Sequence, residues 1–160
     1  MGKLLLRTKS AMTDCEKHLV SSGGFGTEIE SYLTQYLLVV LCAGIQQEIY
    51  KLSEERASVA NDAALSAYVS ASARRVLRSV GKDDIAKYVG MFGAENKAKL
   101  NSLINDSDVA VFNNAVSNRH EVAHKQGVQL TFRELKDAVF VAEKILSAIA
   151  QSLDMRGSLD

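Results

Sequence analysis

The chain has 160 residues, 47% of them apolar, and 19 acidic against 19 basic side chains, for a formal net charge of zero. That length suits one domain, and a chain of this size hides roughly 70% of its unfolded surface, so no staples are needed to hold a core. Zero net charge excludes a general polyanion-binding field, so any nucleic-acid contact has to come from a local basic patch. The two cysteines, Cys15 and Cys42, lack metal-ligand spacing and lie in apolar helical patterns. They are expected as reduced packing residues of a cytoplasmic protein. Lys3-Leu4-Leu5-Leu6-Arg7 is an apolar run broken by charge, without the features of a signal peptide. The most apolar run, Tyr36 to Ile45, covers about half of the roughly 20 residues that a membrane span needs, and reads as a buried helix core.

With no proline, no tryptophan and no period-two alternation, apolar residues recur at three and four, which predicts an all-α fold. The first helix is expected over 3–21, with Leu5, Met12, Cys15, His18 and Leu19 near one stripe. Gly23, Gly24 and Gly26 free the turn that ends it. Thr27-Glu28-Ile29-Glu30 reads as a capping box, with Glu30 reaching back to Thr27. It opens a long helix to about Arg56, apolar nearly all round in its middle and therefore the central element. Gly44 inside it costs about 1 kcal/mol against alanine, which suggests that a neighbouring helix packs closely there.

A third helix is expected over 62–79, ending in Arg74, Arg75 and Arg78. These three read either as a solvated helix end or as a phosphate-binding patch. Gly81 is read as its stop. A short helix, Ile85 to Val89, and another over 94–104 follow. The cluster Asn105-Asp106-Ser107-Asp108 launches a helix over 108–125 with a core face of Val109, Phe112, Val116, Val122 and Ala123. Gly127 ends it. Thr131-Phe132-Arg133-Glu134 is a second capping box, opening a last helix over 132–153 with Leu135, Val139, Ala142, Leu146 and Ile149 on one stripe. Residues 155–160 are expected to fray. The expected architecture is an antiparallel helical bundle with a long central helix and short extra helices.

Chemistry concentrates in Ser117-Asn118-Arg119-His120-Glu121-Val122-Ala123-His124-Lys125, which holds two of the three histidines. Residues 120–124 spell H-E-x-x-H, in which two histidines about 40° apart on a helix bind zinc and the glutamate acts as base. A catalytic zinc needs a third protein ligand, and Glu143 or His18 are the candidates. The context is poor, because the chain offers no strand to hold an extended substrate.

Residues 119–124 also spell R-x4-H, with a polar residue directly after the arginine. Together with the helical layout, the glycine-bounded segment Val89 to Gly93, the string Arg-His-x-x-Ala-His, the nearby Gly127 and the Thr-capped final helix, this resembles the HEPN family, in its RiboL-PSP-HEPN branch. It departs from the family pattern where Lys125-Gln126 stand between the last histidine and the glycine. The resemblance implies a metal-independent endoribonuclease without cofactors, with its composite site at a homodimer interface. In that scheme Arg119 and His124 carry catalysis, with His120 as the variable polar residue beside the arginine. Asn118, Glu121 and Lys125 orient the site or contact RNA, and Glu48 is an outside candidate for a supporting carboxylate. The resemblance also implies toxin, defence or RNA-processing roles, with an antitoxin or regulatory protein as a further partner. The alternatives are a HEPN module that binds RNA or a partner without cutting, and the zinc hydrolase of His120, His124 and Glu143.

Geometry adds one independent point. Arg119 and His124 are five positions apart, so an ideal helix splays them by about 140°. Their convergence on one phosphate is easier when two copies of the helix meet about a two-fold axis.

Overall fold

The computed structural model describes residues 4–122 and 130–155, and for 120–122 the backbone alone. Among the described residues there are seven helices and no strand. These are α1 (Leu6–Ser22), α2 (Glu28–Ser58), α3 (Ala63–Val76), α4 (Lys82–Gly90), α5 (Ala94–Leu103), α6 (Asp106–Val122) and α7 (Phe132–Ser152). The long α2 is the hub, packing against α1, α3, α6 and α7. Leu37, Leu38, Leu41, Cys42, Ile45 and Ile49 of α2 are buried against Leu135, Ala142, Ile145, Leu146 and Ile149 of α7 in one continuous core. By length and composition alone α2 passes the test for a membrane span, with a mean hydropathy of 1.2. Here 33% of that window is buried, against four neighbouring helices, and one apolar strip stays exposed.

The connections explain where the helices begin and stop. Gly23, in the left-handed region at φ 65°, closes α1 by donating its N–H to the Leu19 carbonyl. Thr27 caps α2 by accepting from Ile29 N–H at 3.2 Å. Glu30 does not close the box on Thr27 as the sequence pattern suggests. One carboxylate oxygen accepts from Gly26 N–H at 2.7 Å, and the other accepts from Phe132 N–H at 3.1 Å. The reason is tertiary: Phe25 stacks edge-on against Phe132, with centroids 6.0 Å apart, which brings the start of α7 within reach. One carboxylate therefore serves the glycine turn before α2 and the first N–H of α7. Glu30→Ala is expected to cost about 1–3 kcal/mol, the range for leaving such donors unpaired, read as a lowered urea midpoint with an unchanged slope.

α7 carries its own complete capping box. Thr131 accepts from Glu134 N–H, and Glu134 accepts from Thr131 N–H at 2.8 Å. The Thr131 N–H and hydroxyl hold the Glu134 carboxyl below its ordinary range. A depressed carboxylate contributes stability that is full above its unfolded pKa and is lost as pH falls through the folded one. Glu134→Gln is therefore expected to destabilise the protein at neutral pH, and the difference from the parent should shrink in acid. Urea unfolding at both pH values measures this.

Several boundaries differ from those the sequence suggests: α1 begins at Leu6 rather than 3 and α4 at Lys82 rather than Ile85. α3 ends at Val76 rather than at 79, because Leu77 turns into the core and its carbonyl accepts from Gln46 Nε2 at 2.7 Å and Tyr50 hydroxyl at 3.2 Å. Gly81 is the N-cap position of α4 rather than a stop, and Asn113 on α6 supplies the capping oxygen to Lys82 N–H at 3.2 Å. Met155 is packed in, 8% exposed, with its N–H bonded to the Ala150 carbonyl at 2.8 Å. Of the expected tail, residues 156–160 lie outside the described residues.

α6 and α7 are antiparallel neighbours, tied near the start of α6 by Lys144 to Asp108 at 3.2 Å. Phe112, Ala115 and Val116 form the buried face of α6, and Val109 is half-buried. Both cysteines are buried and free.

Candidate functional site

Arg119 lies on α6 seven positions after Phe112, about 20° from it around the helix. It therefore sits on the stripe that packs inward, near the end of that stripe, and is half-buried. Its charge reaches Cys42 of α2. Burial pushes the Cys42 thiol up to about 11, and the positive Arg119 guanidinium works against that shift. A thiol so raised is neutral at physiological pH, so it gives the guanidinium no counter-charge. Among the described residues no carboxylate forms an ion pair with Arg119.

Asn118 is buried, and its amide group donates to the Asn114 carbonyl at 2.9 Å and to Asn114 Oδ1 at 3.3 Å. His120 and Glu121 belong to α6 by backbone, and their side chains are not among the described ones. His124, Lys125 and the core candidate Ala123 lie outside the described residues.

The remaining candidates have positions and partners of their own. Glu143, the proposed third zinc ligand, accepts from Lys9 at 2.7 Å and so ties α7 to α1. His18 is exposed on α1. Glu48 accepts from Lys51 at 3.1 Å on the outer side of α2. Among the described residues no cluster of three His, Cys, Asp or Glu side chains is spaced to hold a metal. In the arginine cluster, Arg74 is paired with Glu54 at 3.3 Å and stacked over Tyr50 at 5.1 Å, and Arg78 Nε donates to the Arg75 carbonyl at 3.2 Å. Arg74 thus supports the α2–α3 packing.

One feature of the site escaped the sequence reading. Ile29, Tyr32, Tyr36 and Val39 line one side of α2 at helical spacing and are exposed, the tyrosines at 63% and 53%. Val39 is one turn before Cys42, so this apolar strip runs up to the Arg119 neighbourhood. The signal was present as the all-round apolarity of α2, which exceeds what its packing partners cover.

A family model described as RiboL-PSP-HEPN matches residues 4–155. Comparison with curated proteins and with solved structures finds no match.

Proposed function

Since the chain belongs to the RiboL-PSP-HEPN family, whose members include ribonucleases and RNA-binding modules, we propose that it is a metal-independent endoribonuclease acting as a homodimer. The observation that carries this reading is Arg119, half-buried beside a neutral thiol and without a carboxylate partner among the described residues. Its planar fork suits the oxygens of a phosphodiester and the charge that grows on them during cleavage. RNA supplies its own nucleophile, the 2′-OH beside the scissile phosphate. The His124 imidazole removes that proton or protonates the departing 5′-oxygen. The O2′–P bond forms as the P–O5′ bond breaks, leaving a 2′,3′-cyclic phosphate and a 5′-OH. His120 and Glu121 assist as polar neighbours, and Lys125 adds a positive charge toward the RNA backbone.

The apolar strip on α2 supports the homodimer. A second copy covering Ile29, Tyr32, Tyr36 and Val39 about a two-fold axis would remove four exposed apolar side chains from water. It would also bring two Arg119 regions toward one another, which answers the splay between Arg119 and His124. A cytoplasmic toxin, defence or RNA-processing role, held in check by an antitoxin or regulatory protein, is consistent with such an enzyme.

The test is incubation of the purified protein with mixed RNA in EDTA, with identification of the product ends. Cyclic phosphate and 5′-OH ends are expected, with DNA left intact because it lacks the nucleophile. Abolition by EDTA together with stoichiometric zinc would overturn the reading in favour of the H-E-x-x-H hydrolase. RNA bound and left uncut would reduce the protein to a binding module.

A further inference from the structure

α3 packs chiefly on α2 and turns most of its surface to water, with Ala73 its one buried residue. It is rich in alanine and serine, so a large side chain on its outer face stands clear of the surface. Tyr68 does so, at 70% exposure. Residues 63–80 also hold three arginines and no acidic residue, in a chain of zero net charge. A neutral protein that holds a polyanion needs such a local basic patch.

The three arginines differ in their surroundings. Arg74 is held by Glu54 at 3.3 Å and lies over the Tyr50 ring. Arg75 and Arg78 are exposed and form no ion pair among the described residues. Arg78 Nε donates to the Arg75 carbonyl at 3.2 Å, which sets the two residues side by side and uses one edge of the Arg78 fork. The helix dipole accounts for basic residues in a last turn, but it gives no reason for Tyr68. Tyr68 and Arg75 are seven positions apart, so they lie about 20° apart around α3 and about 10 Å apart along it. An aromatic ring followed by a pair of guanidinium forks suits a single strand, one base stacking on the ring and the phosphates beyond it meeting the forks.

Two hydrogen bonds fix the position of this patch relative to Arg119. The Leu77 carbonyl accepts from Gln46 Nε2 at 2.7 Å. Gln46 is one turn, about 6 Å, beyond Cys42 on α2, and the Arg119 charge reaches Cys42. Lys82 N–H donates to Asn113 Oδ1 at 3.2 Å, and Asn113 is about 9 Å before Arg119 along α6. The segment 77–82 is therefore held by the two helices that flank Arg119, and the arginine pair stands at its head. None of Tyr68, Arg75 and Arg78 belongs to the α2 strip that a second copy would cover.

We propose that the outer face of α3 is a track for single-stranded RNA, with a base stacked on Tyr68 and backbone phosphates on Arg75 and Arg78, leading toward Arg119. It rests on the reading of the protein as one that acts on RNA. An anionic membrane is the other surface that attracts a basic helix. The exposed large apolar residues of α3, Leu65, Tyr68 and Val76, are set among alanines and serines and fall short of the broad apolar face that interfacial helices bury.

The test is fluorescence anisotropy with a single-stranded 2′-O-methyl oligoribonucleotide, which cannot be cut because its 2′-oxygen is blocked. Arg75→Gln together with Arg78→Gln should lower the slope of log affinity against log salt by about 1.4, for two phosphate contacts on a single strand. Tyr68→Ala should weaken binding by roughly 5–150-fold, the worth of one stacked base. Tyr68→Phe, which keeps the ring, should bind like the parent. Lys17→Gln, at an exposed position on α1, should leave the affinity unchanged. All these positions are exposed, so the helical circular-dichroism signal should be that of the parent. A parental salt slope in the double variant, parental affinity in Tyr68→Ala, or a loss in Lys17→Gln equal to that of the double variant would each overturn the track. So would binding of the parent to phosphatidylserine vesicles but not to the oligonucleotide. Cleavage of unmodified RNA by the same preparations separates the two readings. Variants that lose affinity, beside a parent that cuts nothing, support the track and remove only the nuclease. A parent that cuts RNA, beside variants of parental affinity, removes only the track.

Discussion

His124→Ala should lower RNA cleavage by about 10²–10⁴-fold, the usual contribution of a positioned proton-transfer group. Arg119→Ala should fall by a similar order, because it removes the charge stabiliser of the phosphate. The two variants differ in what else they disturb. Arg119 is half-buried at the end of the buried stripe of α6, so its loss should also lower the urea midpoint slightly. It lies at the rim of the core, so the helical circular-dichroism signal should persist. His120→Ala separates two chemistries. As the polar neighbour of Arg119 its loss should only weaken cleavage, whereas as a zinc ligand its loss would remove both metal and activity. Parental cleavage by His124→Ala would sink the proposed mechanism. Initial rates on a defined RNA in EDTA give the comparison.

Tyr36→Glu should convert a dimer to a monomer and carry cleavage down with it, by about 10²-fold or more if half of a composite site is lost. Tyr36 sits mid-strip on α2 and is 53% exposed, so a carboxylate there costs the single chain little. Against the same strip of a second copy it would meet its own image across the two-fold axis, burying two like charges without partners. Light scattering at micromolar concentration and cleavage rates on the same preparation are the measurements. A monomeric parent with full activity would refute the composite site. A monomeric Tyr36→Glu with parental cleavage would separate assembly from catalysis.

Much of the helical layout is legible from periodicity and caps. Thr131-x-x-Glu134 marks the start of α7 to the residue, because a capping box is a local device closed by residues three apart. The hub role of α2 follows from an apolar middle that only several neighbours could cover. Gly44 was legible too, as a glycine whose cost in a helix needed a packing reason, and Leu5 and Thr8 supply it. The motif residues themselves stand out by type and spacing, since an arginine and a histidine five apart are visible without coordinates.

Other features depend on residues distant in the chain. Glu30 looks like a local cap, but its carboxylate reaches Phe132 N–H, 102 positions away, because Phe25 and Phe132 stack. The end of α3 is set by Gln46 and Tyr50 of α2 capturing the Leu77 carbonyl, a bond that no local pattern encodes. Arg74 reads as a free cation in sequence and is an ion-pair and stacking partner in the fold. By itself the sequence determined the all-α class and the order of the helices, because both rest on periodicity and capping along single segments, and it carried the resemblance to the family whose model matches residues 4–155. Only the tertiary structure decided that Arg119 lies half-buried within electrostatic reach of Cys42 and, among the described residues, without a carboxylate, that the α2 strip is left uncovered, and that Thr8 packs against Gly44. Each of those depends on which side chains of separate helices meet, and contact between distant segments is settled by packing rather than by local pattern.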